Sequence, residues 1–122
     1  MRLDCVFTAY LTIAVVTILA NAWATAADLL PAGFVLRSMA EVGVPRSWLI
    51  PLGLLKGAGA AGLLVGLLAV RPLGIAAGIG LALFFAGALT AHARARVFHN
   101  IAVPGTYFAL AVAATALAIA AR

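Results

Sequence analysis

Four apolar stretches, each long enough to cross a bilayer, fill most of the chain, and short polar or turn-forming breaks separate them. The first runs over 5–30 and predicts a helix that ends before Pro31, because proline disfavours helical geometry in the residue ahead of it. Arg2 before the run, and Ala24, Ala26 and Ala27 near its end, give it the look of a signal peptide. The apolar part, however, is ~22 residues against the roughly 7 to 15 of a signal segment, which makes it a span. Pro31 and Gly33 open the one substantial loop. In that loop Phe34, Val35, Met39 and Val42 alternate with Arg37, Ser38 and Glu41, the pattern of a short amphipathic helix at the interface, stopped by Gly43 and turned by Pro45.

Span two is expected over 47–70, with Ser47 as its N-cap and Trp48 at headgroup level, followed by a tight turn at Arg71 and Pro72. Span three covers 73–93 and leaves the membrane through His92, Arg94, Arg96, His99 and Asn100. Span four covers 101–121 with Pro104 in its first turn, where a missing amide hydrogen costs nothing. Gly53 with Gly57, Gly62 with Gly66 and Gly74 with Gly78 are each four apart, so each pair shares a helix face. They predict close backbone contact in a hairpin of spans two and three.

Composition strengthens this picture. The 122 residues are 66% hydrophobic and 9% charged with a mean hydropathy of +1.21, whereas soluble domains carry roughly 25% charged residues. The expected fold is therefore all-α: one integral membrane four-helix bundle over 1–122, with a short amphipathic interfacial helix between spans one and two. Eight Lys and Arg against three Asp and Glu are scattered singly, with no basic stripe, so nucleic acid is not an expected partner. The single cysteine, Cys5, excludes an intramolecular disulfide or a thiolate cluster within one chain, and no metal site is expected.

Four spans place both termini and the Arg71 turn on one side, and the first loop and the His99 loop on the other. The second side is the richer, holding Asp28, Arg37, Glu41, Arg46, Arg94, Arg96 and His99. Four arginines there against Arg2, Arg71 and Arg122 lean toward a cytoplasmic placement of the loop-rich side. Lys56 lies ~13 Å below the start of its span and Asn21 about as far below the end of span one, with His92 one to two turns shallower. Asn21, Asp28, Lys56, Thr90 and His92 are thus expected to ring a cavity open to the loop-rich side, with Tyr107 as a wall. A charge within a span costs about 2.5 to 3.5 kcal/mol, which makes Lys56 the sharpest candidate. The structural alternative is an ion pair with Asp28. Arg94 and Arg96 read as interfacial anchors, and Arg37 with Glu41, four apart, as an exposed ion pair.

Several blocks carry a family resemblance: Met39-Ala40-Glu41-Val42-Gly43-Val44-Pro45, then 53–67 beginning Gly53-Leu54-Leu55-Lys56-Gly57, then Arg71-Pro72-Leu73-Gly74 through Gly78, and Ala88-Leu89-Thr90-Ala91-His92-Ala93-Arg94. In their order and spacing the chain resembles the DoxX-like family of small four-span bacterial membrane proteins. The resemblance implies a multi-pass protein of the bacterial inner membrane. The family takes its name from a subunit of a thiosulfate to quinone oxidoreductase, so it also implies an association with membrane redox metabolism.

The leading functional expectation is a protein that binds a lipophilic, quinone-like molecule in the polar cavity, Lys56 and His92 donating hydrogen bonds to its carbonyl oxygens. No motif for haem, flavin or iron–sulfur is present, so no cofactor is evident in the sequence; a quinone is the one candidate, and any electrons would pass through that ligand or through a partner subunit. The alternatives are a non-catalytic assembly or anchoring subunit, whose glycine faces serve partner helices or a second copy of the chain, and a small transporter. Four-span exporters of this size rely on a mid-span carboxylate where the first span here offers only Asn21. Whether the chain is an enzyme is left open, because lone carboxylates such as Asp28 and Glu41 do not define a reaction.

Overall fold

The computed structural model describes residues 2–30 and 33–121, with the side chains of 2–4 left aside; Pro31, before which the first helix is expected to end, and Arg122 lie outside the described residues. Helix α1 spans Arg2–Leu29, α2 Gly33–Glu41, α3 Leu49–Leu68, α4 Arg71–Ala95 and α5 Ala102–Ala120, and a 3₁₀ turn at Arg46–Trp48 leads into α3. Four of these are long and apolar enough to cross a membrane: Cys5–Leu29, Arg46–Leu68, Arg71–Ala95 and Ala102–Ala120. α1 packs on α3 and α5, and α4 packs on the same two, so α1 and α4 face each other across a diagonal.

Each span turns one narrow stripe inward. On α1 it is Tyr10, Ala14, Thr17, Asn21 and Asp28; on α3 Leu49, Gly53, Ala60, Leu63 and Gly66; on α4 Gly74, Gly78, Leu81, Phe85 and His92; on α5 Pro104, Ala111, Ala114 and Ala118. Steps of three, four and seven are those of helices packed nearly antiparallel. The outward faces carry large apolar side chains, Leu30 at 78% and Leu68 at 75% exposure among them. In water such a surface would drive aggregation; in lipid it is matched solvent.

Small residues set the helix spacing. A methyl group on Gly66 would run into the backbone of Gly74, one on Gly62 would meet the Ala77 methyl at 2.7 Å, and one on Gly59 would meet Leu81 at 2.5 Å. The expected α3–α4 hairpin thus rests on Gly59, Gly62, Gly66 and Gly74. The other glycines of the expected pairs serve different neighbours. Gly53 and Gly57 lie against Asp28 and Thr25 of α1, and Gly78 against Thr115 of α5. Helix rotation, which the four-residue spacing does not specify, makes the difference.

The connections depart from expectation in three places. Ser47 makes no cap: the Trp48 amide donates to the Pro45 carbonyl at 3.0 Å, and α3 grows from that turn. Arg71 and Pro72 occupy the first turn of α4 rather than the link before it, which is Ala69–Val70; a helix start tolerates proline because its amide has no partner to lose. Glu41 pairs with His99 at 2.6 Å rather than with Arg37, which is exposed. Gly43 does stop α2, with φ +76°, the Val44 amide reaching the Met39 carbonyl at 2.9 Å. Arg96 closes α4 the same way with φ +57°, a conformation that costs a non-glycine residue about 1 to 2 kcal/mol.

α2 buries none of its residues. It is held by Phe34 stacked on Trp23 at 5.7 Å, by Glu41 on His99, and by the Asn100 amide donating to Ser38 at 3.3 Å. It leaves the end of α1 and reaches the α4–α5 loop before the chain returns to α3, so it crosses the loop-rich end of the bundle.

Two kinds of glycine separate cleanly in a stability measurement. Gly66→Ala should destabilise the purified protein by about 1 to 3 kcal/mol through overpacking. Gly80→Ala and Gly87→Ala, where nothing lies within 4 Å, should be neutral or stabilising by up to about 1 kcal/mol. Equal thermal shifts for all three in detergent would contradict the packing described.

Candidate functional site

The inner stripe of α1 is polar from its middle to its loop-side end, and much of that polarity is satisfied within the helix. Thr17 donates to the Ile13 carbonyl at 2.7 Å, the Asn21 amide to Thr17 at 2.9 Å, and Thr25 to Asn21 at 2.8 Å. These bonds to the preceding turn let short polar side chains enter an apolar bundle at low cost. Asp28, 3% exposed in the last turn, has no such recourse: it is a carboxylate at the negative end of the helix dipole.

Lys56 resolves this. Its Nζ lies 2.6 Å from the Asp28 carboxylate, the two side chains 13% and 4% exposed, and 5.8 Å from the centre of the Phe84 ring. The pairing follows from helix geometry. Side chains lean toward the amino end of their own helix, and α1 and α3 run in opposite directions, so Lys56 leans up toward the loops while Asp28 leans down to meet it. Gly53 allows it, because a methyl there would stand 2.8 Å from the Asp28 Cβ. The structural alternative for Lys56, an ion pair with Asp28, is the arrangement present.

On the diagonal helix, His92 lies three residues, ~4.5 Å, from the end of α4. It is 7% exposed; Nδ1 is 2.9 Å from the Ala88 carbonyl, and Nε2 is buried without a hydrogen-bond partner among the described residues. Asn21, fully buried ~12 Å from the end of α1, likewise keeps Oδ1 without such a partner. Between these levels Tyr107 of α5 reaches the neighbouring α1 and donates to the Ala20 carbonyl at 3.0 Å, its ring 5.1 Å from that of Phe85.

Asn21, Asp28, Lys56, His92 and Tyr107 therefore occupy the loop-side half of the bundle interior. Thr90 does not join them. It is two residues, ~200° of helix rotation, from His92, so it lies on the exposed face and bonds back to the Ala86 carbonyl at 2.8 Å. Depth along the chain suggested it; angle around the helix removes it. Arg94 and Arg96 are exposed at the end of α4, and Arg37 and Glu41 are exposed on α2, all outside this interior. Sequence reasoning missed Gly53, Phe84 and Thr17. The spacing Thr17, Asn21, Thr25, Asp28 in steps of four and three was the available signal for a polar stripe.

The opposite half is closed by packing. Arg71 places its guanidinium 4.5 Å from the Tyr10 ring centre and reaches toward the Ala118 carbonyl at 3.4 Å, joining α1, α4 and α5. Leu63, Leu81, Phe85 and Ala111 fill the middle.

The model of the DoxX-like family matches residues 12–114, and the chain belongs to that family. Searches of curated proteins and of solved structures return no match. The four apolar spans and the family together make it a multi-pass membrane protein.

Removing one partner of a buried pair strands the other's charge, so Lys56→Ala should cost about 3 to 5 kcal/mol of stability. The neutral combination Asp28→Asn with Lys56→Met should recover most of that loss in a double-mutant cycle of thermal unfolding. If the two effects merely add, the pair does not couple as the 2.6 Å contact requires.

Proposed function

We propose that this chain binds a lipophilic small molecule whose ring-like head group sits in the loop-side half of the bundle, against Asn21, His92 and Tyr107. The observation that carries the reading is the pair of buried polar atoms on diagonal helices, Asn21 Oδ1 and His92 Nε2, that no described residue satisfies. Leaving such an atom unpaired costs about 1 to 3 kcal/mol, and ionisable groups within a span mark functional sites more often than packing. Aromatic walls favour a flat head group: Phe84 and Phe85 lie 5.0 Å apart, and Phe85 stands 5.1 Å from Tyr107. A quinone-like molecule combines a flat ring, ring oxygens and an apolar tail suited to the bilayer, which connects the site to membrane redox metabolism.

In this reading the Asp28–Lys56 pair is a charged wall of the site rather than its reactive centre, since each charge already neutralises the other. Electrons, where they move, are carried by the ligand or by a partner subunit. The setting is a bacterial inner membrane with the loop-rich side, which carries Arg37, Arg46, Arg94 and Arg96, facing the cytoplasm.

Native mass spectrometry of protein extracted gently from its own membrane tests the proposal. The wild-type chain should retain a lipophilic small molecule, and His92→Ala and Asn21→Ala should each reduce its occupancy about tenfold, the worth of one buried hydrogen bond, while unfolding cooperatively. Undiminished occupancy in both variants would place the ligand elsewhere. A stoichiometric protein partner with no small molecule would support an assembly subunit instead.

A further inference from the structure

The unsatisfied atoms also have a sign. The Ala88 carbonyl can only accept, so the His92 Nδ1 at 2.9 Å from it must carry the hydrogen. In a neutral imidazole the second nitrogen is then a lone-pair acceptor, and that is the buried Nε2. A doubly protonated ring would be a cation within the bundle with no carboxylate bonded to it among the described residues, the costly alternative in a membrane.

The same logic fixes Asn21. Its Nδ2 donates to the Thr17 carbonyl at 2.9 Å, and turning the amide over would set two acceptors against each other. The free atom is therefore Oδ1, again an acceptor, on a side chain that is fully buried. The Tyr107 hydroxyl donates to the Ala20 carbonyl, and the Lys56 ammonium is held at the Asp28 carboxylate and over Phe84. A carbonyl oxygen brought to Asn21 Oδ1 or His92 Nε2 would meet a lone pair.

We infer that the site selects head groups that donate hydrogen bonds, a lipophilic phenol, hydroquinone or alcohol, over the corresponding carbonyl or ether. The inference rests on the ligand-binding reading above and reverses the expectation that Lys56 and His92 serve as donors to ligand carbonyls. It assigns His92 Nε2 and Asn21 Oδ1 as specificity-determining acceptors, each receiving a ligand hydroxyl, with no covalent step.

The chain in lipid nanodiscs, titrated with 4-octylphenol and with its methyl ether 4-octylanisole, separates the two ideas because the probes differ only at the donor. The phenol should bind about tenfold more tightly, as expected for one buried hydrogen bond, and because its single hydroxyl can donate to either acceptor, it is the double variant His92→Phe with Asn21→Leu that should bring the two probes to within about twofold. Equal binding of both, or preference for the ether, would overturn the donor inference while leaving a binding site in place. If neither probe binds, the ligand-binding reading falls and this inference with it. A measurement that needs no variant checks the premise: nitrogen chemical shifts of labelled histidine should show the His92 proton on Nδ1, and a proton on Nε2 alone would overturn the assignment.

Discussion

Lipid gives two helices no reason to come together through their apolar side chains, because a leucine is as well solvated by acyl chains as by another leucine. Contact has to come from close backbone approach and from polar groups that find no partner in lipid. Both devices meet at Gly53. Its bare backbone lets α1 come near enough for the Asp28 side chain to fit against α3, and Lys56, three residues further on, then reaches the carboxylate at 2.6 Å. Remove the close approach and both charges face hydrocarbon.

From that contact the bundle divides into two halves of different character. On the side of the Arg71 turn the interior is Tyr10, Ala14, Gly66, Gly74 and Ala118, with the guanidinium of Arg71 stacked on Tyr10 and turned to the end of α5. These residues pack, and one polar atom among them, Arg71 Nε, is buried without a hydrogen-bond partner among the described residues. On the loop-rich side the interior holds the ion pair, the Asn21 amide, the His92 ring and the Tyr107 hydroxyl. The boundary falls near Phe85 and Ala111, where apolar side chains from α4 and α5 fill the middle. α2 lies over the polar half and is tied there by contacts at its surface rather than by burial, so the element nearest that half is also the most loosely held.

Much of this was legible from the chain. Runs of apolar residues of membrane length fix the number of spans because the bilayer sets a length that no other environment demands, and the alternation of Phe34, Val35 and Met39 with Arg37, Ser38 and Glu41 announces the short helix at Gly33–Glu41. Glycines at intervals of four announced close helix contact, and the depths of Asn21, Lys56 and His92 followed from a constant rise per residue. The blocks around Met39, Gly53, Arg71 and Ala88 pointed to the family whose model covers 12–114.

Those inferences share one property: they depend on distance along a single helix. What the tertiary structure alone decided depends on rotation about the helix axis and on which helix stands next to which. Rotation put Thr90 on the outer face while His92, two residues on, turned inward. Neighbour order gave Gly53 and Gly57 to α1 and Gly78 to α5, and gave Glu41 to His99, 58 residues away, instead of to Arg37. Partner choice also set the chemistry, since the Ala88 and Thr17 carbonyls determine which atoms of His92 and Asn21 remain as acceptors. Local periodicity encodes where a residue sits in the membrane, whereas the atom it presents is settled by the one neighbour that reaches it first.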